Sequence, residues 1–410
     1  MFIKQNKSEL LFRNLDHLIS DGVLENKKIV LFGLNISSYA TKTYLEEKGY
    51  SILSYIDNSA NKVLDTQELL LQVLPRHVKT SELARLSSSI VPANTPEELL
   101  LPFQDDYVIL ISSKYYPAMC QQLNKMGYQE NIHIFKVIDF QEIDSVIKNE
   151  TDIKGLTPMV TNEIRKKQLE IVDYVVTLCK KNNLNIYMGG GTLLGAVRHQ
   201  GYIPWDDDID LILPFPDYIK MIQLIQEDDK YDLYNTYTDP DCANFYTRVI
   251  DRNSIVKRWT YPNMTTGGVD IDVFPLSGLP DRLDESKEFF SRLRRMYTIY
   301  TNSFLDMTEE TEAKKTFRAD LKKTILEMAQ RYNFYESKTA AYLFSKYWDK
   351  DLMPQKIYQD TVYLKFEDME LPAPAGYDVY LEYLFGDYMT LPKEKDRYAP
   401  HNYRAFHLNK

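Results

Sequence analysis

Cysteine is scarce in this chain, with only Cys120, Cys179 and Cys242 among 410 residues. They lie far apart and outside any C-x-x-C spacing, which excludes a disulfide framework or a cysteine zinc site and fits a reducing, cytoplasmic compartment. No run approaches the roughly 20 apolar residues that would cross a bilayer. The first residues, MFIKQNKSELLFRNL, carry no basic segment leading into an apolar one, so no secretory signal is expected. Positive charge is in deficit: 49 Lys and Arg against 59 Asp and Glu give a net charge of −10. That balance provides no long-range attraction for nucleic acid or for an anionic membrane surface, so any membrane-linked material would be reached peripherally. With 15 Gly and 18 Pro, the chain is neither collagen-like nor low in complexity.

What the sequence does hold is an ordinary globular composition, 44% hydrophobic and 26% charged, over a length that predicts at least two domains. Lys28–Phe32 reads as a buried strand, Gly33–Ser38 as a turn, Tyr39–Lys48 as a helix and Ser51–Ile56 as a second strand, a βαβ unit of Rossmann type. Tyr107–Ile111, a helix through Met126, and Ile132–Val137 repeat the rhythm. Residues 1–147 therefore read as a Rossmann-like open α/β sheet. The polar segment 148–158 is the expected linker, and 159–410 the second, α+β domain, with helices over about 284–347. The first glycine turn, GLNISS, keeps only Gly33 of the three glycines of a dinucleotide loop. Asp57 stands where a ribose-binding acid would lie, but the missing glycines argue against a dinucleotide cofactor.

The informative stretch is YMGGGTLLGAVRHQGYIPWDDDIDLILP, residues 187–214. Trp205–Leu213 reads as a strand whose alternation puts Asp206, Asp208 and Asp210 on one face, with Asp207, Ile209, Leu211 and Leu213 on the other. Carboxylates so crowded repel unless a cation neutralises them, and an all-oxygen donor set favours Mg²⁺, Mn²⁺ or Ca²⁺ over zinc. Gly268–Pro275, GVDIDVFP, repeats the device with Asp270 and Asp272. Two such strands side by side would converge on one metal site, a layout suited to displacement at phosphorus. Gly189-Gly190-Gly191-Thr192, between a strand and a helix, reads as a phosphate cradle. Arg198, Arg248 and Arg252 are further candidates to neutralise phosphate. His199 is expected to be structural.

These residues resemble a known family. GGGTLLGAVRHQGYIPWDDDID, then GVDIDVFPL, then GYDVYLEYLFGDYMTLP with a trailing His401, are similar to the motifs of the LicD family of choline-phosphate transferases, whose relatives include fukutin-type alditol-phosphate transferases. The resemblance runs from about residue 159 to the C-terminus and implies a nucleotidyltransferase-like mixed sheet carrying metal-binding aspartates. It implies transfer of a phospho-alcohol from a CDP-activated donor to a glycan hydroxyl, with Mg²⁺ or Mn²⁺ and release of CMP. Carried over by position, Gly190, Gly191 and Thr192 would hold donor phosphates; Arg198 and Arg248 are added to them as donor-phosphate candidates from their chemistry alone. Asp206, Asp208, Asp210 and Asp272 would be metal ligands or catalytic carboxylates, with Asp270 an added ligand. Asp270 departs from the family pattern, which has a hydrophobic residue there; Ser277 and Phe385 also depart from it, which predicts a different acceptor.

CDP-choline is the favoured donor and a glycan or lipid-linked oligosaccharide the acceptor, with an aromatic cage for choline from Trp205 and Tyr202, supplemented by Trp259 and Tyr261. A ribitol or glycerol phosphate transferase, a nucleotidyltransferase using an NTP, and a non-catalytic metal- or glycan-binding module are the alternatives.

Overall fold

The computed structural model describes residues 3–6, 12–34, 36–58, 91–113, 115–138, 155–239, 242–260, 263–303, 312–345, 347, 350–394, 397 and 403–408. His401, Tyr261 and most of the expected linker, 148–154, lie outside the described residues; for Trp259 only the backbone is described.

Five parallel strands form an open sheet in the order Ala93–Asn94, Ile52–Ile56, Lys28–Phe32, Tyr107–Ile111, Ile134–Lys136. Counted along the chain this is 3-2-1-4-5, the order of a Rossmann-type sheet, with the reversal between the first and fourth strands. Its central strands are apolar from Ile29 to Phe32 and from Val108 to Ile111 because both faces are covered. Ile29 and Leu31 join one core with Phe12, Leu45 and Val108, while Val30 and Phe32 join another with Cys120 and Leu123. Asp57 is buried at the end of the second strand, where its Oδ2 accepts the Leu34 N–H at 2.8 Å. The acid at the ribose-binding position thus braces the turn itself.

The C-terminal part is built on a seven-stranded mixed sheet centred on Asp270–Leu279. That long strand pairs in parallel with Asp210–Pro214 on one side. On the other it pairs antiparallel with Thr247–Ile250 over its first residues and with Thr339–Tyr342 over its last. Tyr187–Met188 adds to the outer edge of Asp210–Pro214. The helix Thr161–Lys181 contributes Ile171, Val172, Val175 and Cys179 to the core beneath, and Phe215–Asp228 contributes Tyr218, Met221 and Ile225. The fold is α/β, with a parallel sheet followed by a mixed sheet and an antiparallel one.

A third sheet, wholly antiparallel, runs in the order Ile3–Asn6, Asn263–Gly267, Ser254–Thr260, Tyr403–His407, Thr157–Pro158. It gathers segments from both ends of the chain, and Thr157–Pro158 belongs to it although the sequence reads as linker there. Leu283–Ser303 and Glu312–Ala329 are helices with a core of their own through Phe290, Leu293, Tyr300 and Ile325. The helical reading of 284–347 ends early, because Thr339–Tyr342 is a strand of the central sheet.

Candidate active site

The glycine turn and the acidic residues meet at one end of the central sheet. Gly190 opens the helix Gly190–His199 with φ +45°, a backbone region that favours glycine. A Cβ on Gly191 would lie 2.8 Å from Asp206 Oδ2. The helix N-terminus and the carboxylate are in close contact only because no side chain intervenes. Tyr380, fully buried in the helix Tyr377–Phe385, accepts the Gly190 N–H at 2.9 Å, and the Asp210 carbonyl accepts that of Gly189 at 2.9 Å. Gly191 and Thr192 retain the first-turn N–H groups that have no acceptor within the helix. The Thr192 hydroxyl, expected to face an anion, is buried and accepts the Asp210 N–H at 2.8 Å, tying the helix to the start of the acidic strand.

That strand begins at Asp210 rather than at Trp205. Residues 206–209 form a loop, so strand alternation does not govern Asp206, Asp207 and Asp208, and each of the three offers a carboxylate oxygen within 4.8 Å of the others. Asp207, expected on the opposite face, joins the cluster. The loop is held from behind by side chains the sequence reading did not find. Arg165 Nη2 donates to the Asp206 carbonyl at 2.9 Å, and Gln168 Nε2 to the Asp207 carbonyl at 3.0 Å. With its backbone fixed, the loop cannot spread its carboxylates to relieve their repulsion.

Burial, then the neighbouring Asp208 and Asp207, push the Asp206 carboxyl up to about 7. A carboxylate set under this strain fits a divalent cation bound through oxygen. The sign of the pH dependence follows. Between the ordinary aspartate range and about 7, the folded chain holds a proton that the unfolded chain has released. The metal-free protein therefore loses stability as pH rises through that window. Protons and metal compete for the same oxygen, so the apparent metal dissociation constant is expected to weaken by up to about tenfold per pH unit below 7. Calorimetric titrations at pH 6, 7 and 8 check this; an affinity flat across that range would remove Asp206 from the ligand set.

Asp210 and Asp272 stand side by side in the parallel register of their strands, and the Asp272 N–H donates to Ile209 O at 2.9 Å. Asp270 and Asp272 share a face, with Ile271 and Val273 turned into the core. Arg248, on the neighbouring strand opposite Asp272, has its Nε 3.3 Å from Asp272 Oδ1 and 3.8 Å from Asp270 Oδ2. Burial works against its charge, but the Tyr246 hydroxyl and the Asp272 and Asp270 carboxylates outweigh it and keep its pKa above the ordinary arginine range. Asp270 is engaged by Arg258, whose two terminal nitrogens each lie 2.8 Å from a different carboxylate oxygen. An ion pair stands where the sequence reading expected an added metal ligand.

Other expected contacts fall elsewhere. Arg198 sits in the last turn of the glycine-turn helix, donating to Tyr388 O at 2.8 Å and to His199 Nε2 at 3.0 Å. Arg252 pairs at the surface with Asp229 and Asp232. Tyr202 is buried, with the Arg165 guanidinium 4.4 Å from its ring centroid, and Arg397 lies 5.3 Å from the Trp205 ring centroid. Two of the four rings expected to form a choline cage, Tyr202 and Trp205, already carry a guanidinium.

Similarity to known proteins falls on this part of the chain. Residues 183–298 match the family model described as LicD/FKTN/FKRP, nucleotidyltransferase domain. The chain is 27% identical over 265 residues to the lipopolysaccharide cholinephosphotransferase LicD of Haemophilus influenzae, covering 60% of this chain and 98% of that protein. Uncharacterized proteins of Rickettsia prowazekii and Rickettsia typhi are each 48% identical over 50 residues, 12% of this chain and 19% and 16% of theirs. The matched span holds the glycine turn, the acidic loop, Arg248 and Asp272, and by that match residues 183–298 are a LicD-type nucleotidyltransferase domain.

Proposed function

We propose that the protein is a phosphotransferase that moves phosphocholine from a CDP-activated donor to a sugar hydroxyl of a cell-surface glycan, such as a lipopolysaccharide, capsule or teichoic acid precursor, releasing CMP. The observation that carries this reading is the contact between a glycine-turn helix N-terminus and a cluster of aspartates in a chain similar along nearly the whole length of a cholinephosphotransferase. The N–H groups of Gly191 and Thr192 provide donors for phosphate oxygens. The acceptor oxygen attacks the phosphorus bearing choline, the bond from that phosphorus to the CMP oxygen breaks, and CMP leaves with the electron pair. Asp272, beside Asp210 in the strand register and paired with Arg248, would take the acceptor's proton. Mg²⁺ or Mn²⁺ bound by Asp206, Asp208 and Asp210 would neutralise charge on the phosphate oxygens.

A second reading has a specific observation in its favour. Because guanidiniums cover Tyr202 and Trp205, a polyol such as ribitol or glycerol phosphate suits these positions as well as choline does. The test is CMP release from CDP-choline, CDP-ribitol and CDP-glycerol, each with Mg²⁺ and with chelator. Metal-dependent release from CDP-choline at least tenfold faster than from the others is the expected outcome. Preference for a polyol donor would establish the second reading, and pyrophosphate release from an NTP would replace both. No helix among the described residues is long and apolar enough to cross a membrane, which fits a peripheral approach to a lipid-linked acceptor.

A further inference from the structure

We propose that Arg198 and Arg397, with Trp205 between them and the acidic loop, form a phosphate-binding subsite for a substrate bound alongside the donor. Arg198 comes from the end of the glycine-turn helix and Arg397 from the segment after Pro392, whose carbonyl accepts its Nε–H at 2.8 Å. Arg397 lies over the Trp205 ring, the His199 ring meets the same indole edge-on, and Trp205 directly precedes Asp206. Among the described residues, neither guanidinium has a carboxylate within 4.0 Å.

In a chain with ten more acidic than basic residues, that lack of counter-charge is informative. The two cations are close enough that Arg397 works against the charge on Arg198, together with burial. The dipole of the helix accounts for a cation at its C-terminal end but not for a second one delivered there by a separate segment. Carbonyls and His199 occupy Arg198 Nε and Nη1 and Arg397 Nε, which leaves Arg198 Nη2 and both terminal nitrogens of Arg397 as donors. An anion between them would satisfy these donors and remove the repulsion, and phosphate is an anion that arginine forks bind bidentately. Arg198 lies seven positions along the helix from Gly191, a rise of roughly 10 Å. The subsite is therefore distinct from the glycine turn, at a distance suited to a phosphate on the acceptor.

The source of the phosphate rests on the phosphotransferase reading; the subsite does not. Calorimetric titration of the full chain with inorganic phosphate, in chelator so that no metal contributes, tests it without turnover. Wild type is expected to bind, with Arg397→Gln about tenfold weaker and Arg397→Lys, which keeps the charge but loses the fork, in between. Absence of phosphate binding by wild type, or equal binding by all three, would overturn the subsite. If Arg397→Gln does not fold, the wild type and Arg397→Lys titrations decide alone. With Mg²⁺ restored, unchanged CDP-choline affinity in Arg397→Gln assigns the phosphate to the acceptor, and a parallel loss assigns it to the donor.

Discussion

Asparagine in place of Asp208 is expected to lower kcat by about a thousandfold or more while leaving the thermal midpoint of the metal-free protein unchanged or higher. The two effects have one cause. Asp208 adds its charge to a cluster that already holds Asp206 and Asp207 within 4.8 Å, and it is a principal reason that the Asp206 carboxyl is pushed up to about 7. The amide is nearly the same size, so packing is kept while the repulsion is relieved. Relief should also flatten the fall in metal-free stability between pH 5 and 7, because Asp206 then moves back toward the ordinary aspartate range. CMP release and thermal unfolding, each followed with and without Mg²⁺, give both readouts from one preparation. Wild-type turnover in this variant would sink the ligand assignment; a lowered midpoint would show that Asp208 has a structural partner more important than its repulsion.

The sequence discloses those parts of the molecule that obey a local period. Ile29 to Phe32 is an apolar run with both faces buried, and it is the strand the pattern predicts. Asp270, Ile271, Asp272 and Val273 alternate as a strand must, and their faces are legible before any coordinates. Asp206 to Asp208 obey no period, because Pro204 and the backbone contacts of Arg165 hold them in a loop, so the alternation read through them put Asp207 on the wrong side. Arg258, Arg165 together with Gln168, and Tyr380 reach the site from three different elements, 190 residues apart in the case of Tyr380 and Gly190. Nothing near them in the chain marks the contact, since each depends on a strand register or a helix packing that only the folded molecule defines. The sheet that joins Ile3–Asn6 to Asn263–Gly267 was illegible for the same reason.

Arg258→Met is expected to cost about 3–5 kcal/mol of folding stability, the penalty for leaving a buried carboxylate without its partner. Asp270 has a side chain only 9% exposed, and the Arg258 fork takes both of its oxygens. Arg248, at 3.8 Å and already engaged by Asp272, does not replace that fork. Adding Asp270→Asn to Arg258→Met should restore a large part of the loss, since it removes the orphaned charge instead of re-pairing it. Urea unfolding of the two single variants and the double variant measures the coupling, and a loss below about 1 kcal/mol in Arg258→Met would show the pair to be solvated. The same cycle separates the two roles open to Asp270. If its carboxylate serves Arg258, Asp270→Asn lowers stability and leaves metal affinity close to wild type. If it is a metal ligand, Asp270→Asn weakens metal binding as Asp208→Asn does, and Arg258→Met, by freeing the carboxylate, strengthens it.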